Sequence, residues 1–98
     1  MKIKAKEKNG VVKVKMLLKH PMDSGRQKDK SGQIIPAHHI TETLATYNGN
    51  EVFHAELGPA VSKNPFLAFA FKGKKGDTLA VQWVDNKGES LNKEAVIK

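Results

Sequence analysis

Apolar and polar residues alternate along most of this chain, and stretches with a helical repeat are nearly absent. Successive side chains on a strand point to opposite faces, so the alternation predicts an all-β protein. IKAK near residues 3–6 and VVKVKMLL at 11–18 flank Asn9-Gly10, which tolerates the positive φ of a tight turn and closes a first hairpin. Asn48-Gly49 predicts a second, with Tyr47 facing Asn50, Leu44 facing Phe53, Glu42 facing Ala55 and Ile40 facing Leu57. In that register Ile40, Leu44, Phe53, Ala55 and Leu57 share one face, and His39, Thr41, Thr43, His54 and Glu56 share the other. Glu42 is the single misfit; a bulge or a partner contact would each account for it.

Gly58-Pro59 and Asn64-Pro65 then punctuate the chain before FLAFAF at 66–71. Leu67, Phe69 and Phe71 project to one face of that strand and Phe66, Ala68 and Ala70 to the other. A strand apolar on both faces lies centrally in a sheet or is covered by something outside the chain. The basic turn Lys72–Asp77 leads into TLAVQWV at 78–84, with Leu79, Val81 and Trp83 inward, and Asp85-Asn86-Lys87-Gly88 closes a hairpin into a last strand near 90–97. About seven short antiparallel strands predict an immunoglobulin-like β-sandwich forming one domain over 1–98, with a small barrel as the alternative.

Composition narrows the class. The chain is 39% apolar, as in soluble globular domains, and its longest uncharged apolar run, PFLAFAF at 65–71, is far below the ~20 residues of a membrane helix. The opening MKIKAKEKNGVV has no continuous apolar core of a secretory signal, which by itself predicts a cytoplasmic protein. There is no cysteine, so no disulfide, thiolate zinc site or thiol nucleophile can form within the chain. Seventeen basic residues, all lysine except Arg26, against ten acidic ones give a net charge of +7. The excess favours anionic partners, but arginine is the usual residue for reading bases or gripping phosphates in pairs.

KHPMDSGRQKDKSGQIIPAHHI, residues 19–40, holds three of the four histidines and is expected to be a long exposed loop without structure of its own. His38 and His39 are neighbours and point apart on extended backbone, so they cannot chelate one ion unless the chain bends. His54, opposite Thr43, lies roughly 13 Å along the strand from His39. His20 could meet His38 or His39 if the loop folds back, but no HExxH and no carboxylate cluster accompanies them, and no metal or cofactor is expected. Ser24, Ser31, Ser62 and Ser90 sit in polar turns outside any GxSxG elbow, and Glu42 and Glu56 are expected on opposite faces. No catalytic set emerges. A basic β-domain that binds nucleic acid or another polyanion is the alternative function, although Tyr47 and the phenylalanines are the only stacking platforms once Trp83 joins the core.

Longer segments are more specific. HPMDSG at 20–25, the basic turn KDKSG at 28–32, IPAHHI at 35–40, the Asn-Gly hairpin at 48–49, SKNPFLAFAFKGKKGDT at 62–78 and QWVDNKGE at 82–89 together resemble the SoxZ family of the thiosulfate-oxidising Sox system. The resemblance spans nearly the whole chain. It implies a small immunoglobulin-like, non-catalytic subunit without cofactors, paired as a heterodimer with SoxY, whose cysteine in a glycine-rich C-terminal tail carries sulfur intermediates. It also implies transient contacts with other Sox enzymes, no nucleic-acid or membrane partner, and a periplasmic location reached by co-export with a signal-bearing partner, in place of the cytoplasmic default. Self-association of the isolated chain is left open. The partner interface is expected in the loop, at His20, Pro21, Met22, Ile35, Pro36 and His38, and at the start of the two-faced strand, at Asn64, Pro65, Phe66 and Ala68.

Overall fold

The computed structural model of the chain describes residues 1–98. It contains seven strands and no helix: β1 (Lys2–Lys8), β2 (Val11–Leu17), β3 (Ile40–Tyr47), β4 (Asn50–Glu56), β5 (Phe66–Lys72), β6 (Thr78–Asp85) and β7 (Ser90–Val96). A three-stranded sheet, β1-β2-β5, faces a four-stranded one, β4-β3-β6-β7, with every pairing antiparallel. Two separate sheets make this an immunoglobulin-like sandwich and not a closed barrel. Both Asn-Gly turns form as expected, with Asn9 at φ 54°, Gly10 at 82°, Asn48 at 51° and Gly49 at 80°.

The core lies between the sheets. Val12, Val14 and Met16 of β2 face Leu79, Val81 and Trp83 of β6, and all six are buried. Each such aliphatic side chain contributes roughly 1.5–3 kcal/mol by leaving water. At the side formed by β4 and β5, Phe53 stacks on Phe69 with centroids 4.4 Å apart. At the other side the chain end ties the layers together: Lys98 donates to the Ala5 carbonyl at 3.0 Å and Glu7 donates to the Lys98 carbonyl at 2.7 Å. Buried Ile97 is drawn between the sheets by that crossing.

The β3–β4 register departs from expectation. Tyr47 faces Asn50 and Thr46 faces Glu51, but Ala45 then faces Phe53, leaving Val52 as an extra residue. This bulge reverses the phase of β3, so Thr43 and Ala45 are fully buried and Leu44 turns to the outer face. A second irregularity at Thr41, between Ile40 and Glu42 on the β6 side, restores Ile40 to the core. Glu42 consequently faces outward, directly opposite Glu56 on the same face, and the misfit disappears. His54 lies on that face too, its Nε2 3.4 Å from a Glu42 oxygen.

Two further expectations change. Residues 19–40 are not structureless: antiparallel bridges join Asp23 to His38 and Lys28 to Ile34, folding the segment into a ribbon whose residues 26–34 are all exposed. This arm accompanies a long axis of 53 Å and a radius of gyration of 15.5 Å, against about 13 Å for a compact domain of this size. Nor is β5 central. It pairs with β2 on one side and with no strand on the other.

Thr43, placed inward opposite Trp83, has a hydroxyl without a hydrogen-bond partner. Thr43→Val substitutes a methyl group of similar shape and should raise the unfolding free energy by about 1 kcal/mol in denaturant titrations. A loss of stability would show that the hydroxyl is paired in solution.

Candidate partner interface and its supporting polar cluster

The arm is rooted by side chains that act on backbone. Pro21 follows His20, and Met22 adopts a left-handed φ of 51°, rare for such a residue. That turn lets the Met22 N–H donate to His20 Nδ1 at 3.1 Å, while the Ile40 N–H points to Met22 Sδ at 3.3 Å. Asn64, also left-handed at φ 53°, accepts the His20 N–H on Oδ1 at 3.0 Å and donates its own N–H to the His20 carbonyl at 3.0 Å. Leu18 donates to the Pro65 carbonyl at 2.9 Å. The start of the arm is thus fastened to the segment that enters β5.

The returning strand of the arm is fastened to the β6–β7 turn. Asn86 accepts the His39 N–H at 2.8 Å and donates to the Ala37 carbonyl at 2.8 Å through Nδ2. Between the two roots lies Asp85. One carboxylate oxygen accepts from His20 Nε2 at 3.1 Å and His38 Nε2 at 2.9 Å; the other accepts from the N–H groups of Lys87 at 3.0 Å and Glu89 at 2.9 Å. The two rings meet edge to face at 4.5 Å, and His20 stands against Trp83 at 5.2 Å. Burial of Asp85 pushes its pKa up, but hydrogen bonds from His20, Glu89, His38 and Lys87 outweigh that and hold it at about 2.

Two imidazoles and a carboxylate whose ligand atoms lie within 4.8 Å of one another could be read as a metal centre. The hydrogen bonds assign another role. Since His20 Nδ1 accepts the Met22 N–H, its Nε2 bears the proton and donates to Asp85, leaving no lone pair for a metal. His38 and Asp85 alone are two ligands, short of the three or four a protein zinc site supplies. Catalysis is no better served, because the His20 and Asp85 side chains are 2% and 0% exposed. The cluster is a fastening.

Of the ten residues expected at an interface, His20, Met22 and Pro65 are buried by the chain itself and Ile35 and His38 are half-buried. Pro21, Pro36, Asn64, Phe66 and Ala68 are exposed. Asp85 was readable only as a turn residue; nothing local signals that its second oxygen reaches histidines 47 and 65 residues away. HPM, IPAHHI, SKNPF and the DNKGE turn, far apart in sequence, therefore meet in one corner. A family model described as sulphur oxidation protein SoxZ matches residues 1–96. The chain belongs to the SoxZ family. It thereby has a role in the Sox system of sulfur oxidation, and four of the segments that resemble SoxZ in the sequence contribute residues to this corner. Comparison with curated proteins gives no match.

In this SoxZ-family chain the Asp85 carboxyl contributes stability with a definite pH range. The unfolded carboxyl titrates near 3.8 and the folded one near 2, so the unfolded state binds the proton first as pH falls. The contribution is complete above the unfolded value and lost as pH drops from there through about 2. Asp85→Ala, which leaves buried His20 without its acceptor, should cost about 2–4 kcal/mol at neutral pH. Urea titrations of both proteins should converge as pH falls through that range; a constant difference would assign the stabilisation to something other than the carboxylate.

Proposed function

We propose that this chain is the non-catalytic subunit of a sulfur-carrier heterodimer, scaffolding a SoxY-type partner whose cysteine carries sulfur covalently between the Sox enzymes. The observation that carries this reading is β5. It is an edge strand with Phe66 61% exposed and Ala68 and Ala70 exposed on its outer face, beside the fastened corner. An open apolar edge invites aggregation unless a partner covers it, and an edge strand offers both backbone hydrogen bonds and alternate side chains to such a partner. The lack of cysteine and the closure of the histidine cluster support a role in holding cargo-bearing protein and not in chemistry.

The subunit would work in the periplasm, carried there folded on its partner's signal peptide, as the resemblance implies. Co-expression with the cysteine-bearing subunit of the same system should yield a stable one-to-one complex; failure to associate would contradict the pairing. Phe66→Asp should weaken that complex by about 2 kcal/mol or more, measured by calorimetry, without unfolding the free chain. In cell fractionation, removing the partner's signal should leave both subunits in the cytosol. Export of this chain alone would refute carriage by the partner.

A further inference from the structure

The outer face of the β1-β2-β5 sheet is a lattice of lysines. By alternation and pairing, its cross-strand rows run Lys2–Leu17–Phe66, Lys4–Lys15–Ala68, Lys6–Lys13–Ala70 and Lys8–Val11–Lys72. Seven ammonium groups share this face, all on exposed residues; no acidic residue occupies a position in these rows, and Glu7, which alternates to the other side, is held at the Asn9-Gly10 turn by the Gly10 N–H. The opposite outer face, on the four-stranded sheet, has the reverse character: Glu42, Glu51, Glu56 and Glu94 with no lysine among its strand positions. Lysines that served only solubility would be spread over both faces. Here Lys4 directly faces Lys15 and Lys6 directly faces Lys13. Like charges opposite one another destabilise a sheet, so this arrangement works against the fold that carries it.

We propose that the lysine face is a docking surface for an acidic polypeptide, one presenting carboxylates at strand spacing. Side chains two apart on a strand repeat about every 6.6 Å, so an extended segment with an acid at every second residue matches Lys2, Lys4, Lys6 and Lys8 in step. Val11, 39% exposed, and half-buried Leu17 lie at the two ends of β2 within this face and give apolar side chains a place to settle. Such an alternation of acid and apolar contact suits a protein and not a nucleic acid. The face has no arginine, and its one aromatic residue, Phe66, stands at the far corner, so bases find neither paired donors nor a row of platforms. A second copy of this chain is disfavoured by the shared net charge of +7, and the glutamates of its acidic face do not recur at every second residue along one strand. The inference concerns the same outer face as the proposed carrier contact at Phe66, Ala68 and Ala70, but it rests on the lysines of β1 and β2, and peptide binding by the chain alone tests it whether or not the carrier pairing holds.

The test uses the full chain and three probes: a peptide alternating glutamate with valine, an isomer of the same composition with its glutamates clustered, and a short DNA duplex of matched charge. Lys4→Glu/Lys6→Glu converts both repulsive pairs into ion pairs, so its Tm should be raised by about 2–8 °C, which removes misfolding as an explanation for lost binding. Lys28→Glu/Lys30→Glu, on the arm, makes the same change in net charge elsewhere. The alternating peptide should bind tightest at physiological salt, its affinity falling about tenfold or more in the β1 variant and less than about twofold in the arm variant. Equal losses in both variants, equal binding of the clustered isomer, tighter binding of the duplex, or no peptide binding at low salt would each overturn the proposal. So would self-association in light scattering that the β1 variant abolishes.

Discussion

A buried carboxylate is tolerated only when its oxygens are satisfied, and Asp85 takes hydrogen bonds from two imidazoles and two backbone N–H groups while wholly screened from water. One oxygen shapes its own hairpin turn and the other reaches the two roots of the arm. Much of that corner follows from this requirement. With Asp85 at the end of β6, His20 must arrive from β2 and His38 from the approach to β3. The left-handed turn at Met22 is what sets the His20 ring, through Nδ1, with its proton toward the carboxylate.

The consequence is a stiff corner from which two unlike features leave. The arm over residues 23–38 projects into solvent with Ile34 62% exposed, and β5 begins with Phe66 exposed to nearly the same degree. Both are held by backbone bonds to Asn64, Pro65 and Asn86, so a partner that binds here orders few residues on arrival. Preorganisation of this kind lowers the entropic cost of association. Charge is divided just as firmly, with lysine on one outer face and glutamate on the other. A sandwich has two independent outer surfaces, and this chain gives each a different electrostatic character.

The strands, both Asn-Gly turns and the inward set Leu79, Val81 and Trp83 were legible in the sequence, because period-two alternation and turn chemistry are local properties. The phase of β3 was not. Nothing in TETLAT distinguishes which threonine points inward, and one unpaired residue, Val52, reverses every assignment beyond it. The arm was likewise visible as a loop bounded by Pro21 and Pro36 but not as a ribbon, since its cross-bridges join residues without a strong alternating pattern.

By itself the sequence determined the sandwich, its charge, its lack of thiol chemistry and, through the order of its longer segments, its family. Those features depend on near neighbours or on residue identity. Tertiary structure decided that the three histidines of the loop would not act together as ligands, that Asp85 would join two of them, and that β5 would lie at an edge. Each depends on which distant segments come into contact, a matter settled by the need to satisfy buried polar groups and by the packing of two sheets. The six lysines of β1 and β2 could be counted from the chain alone. Only strand pairing put Lys4 against Lys15 and Lys6 against Lys13, making separate charges into one face.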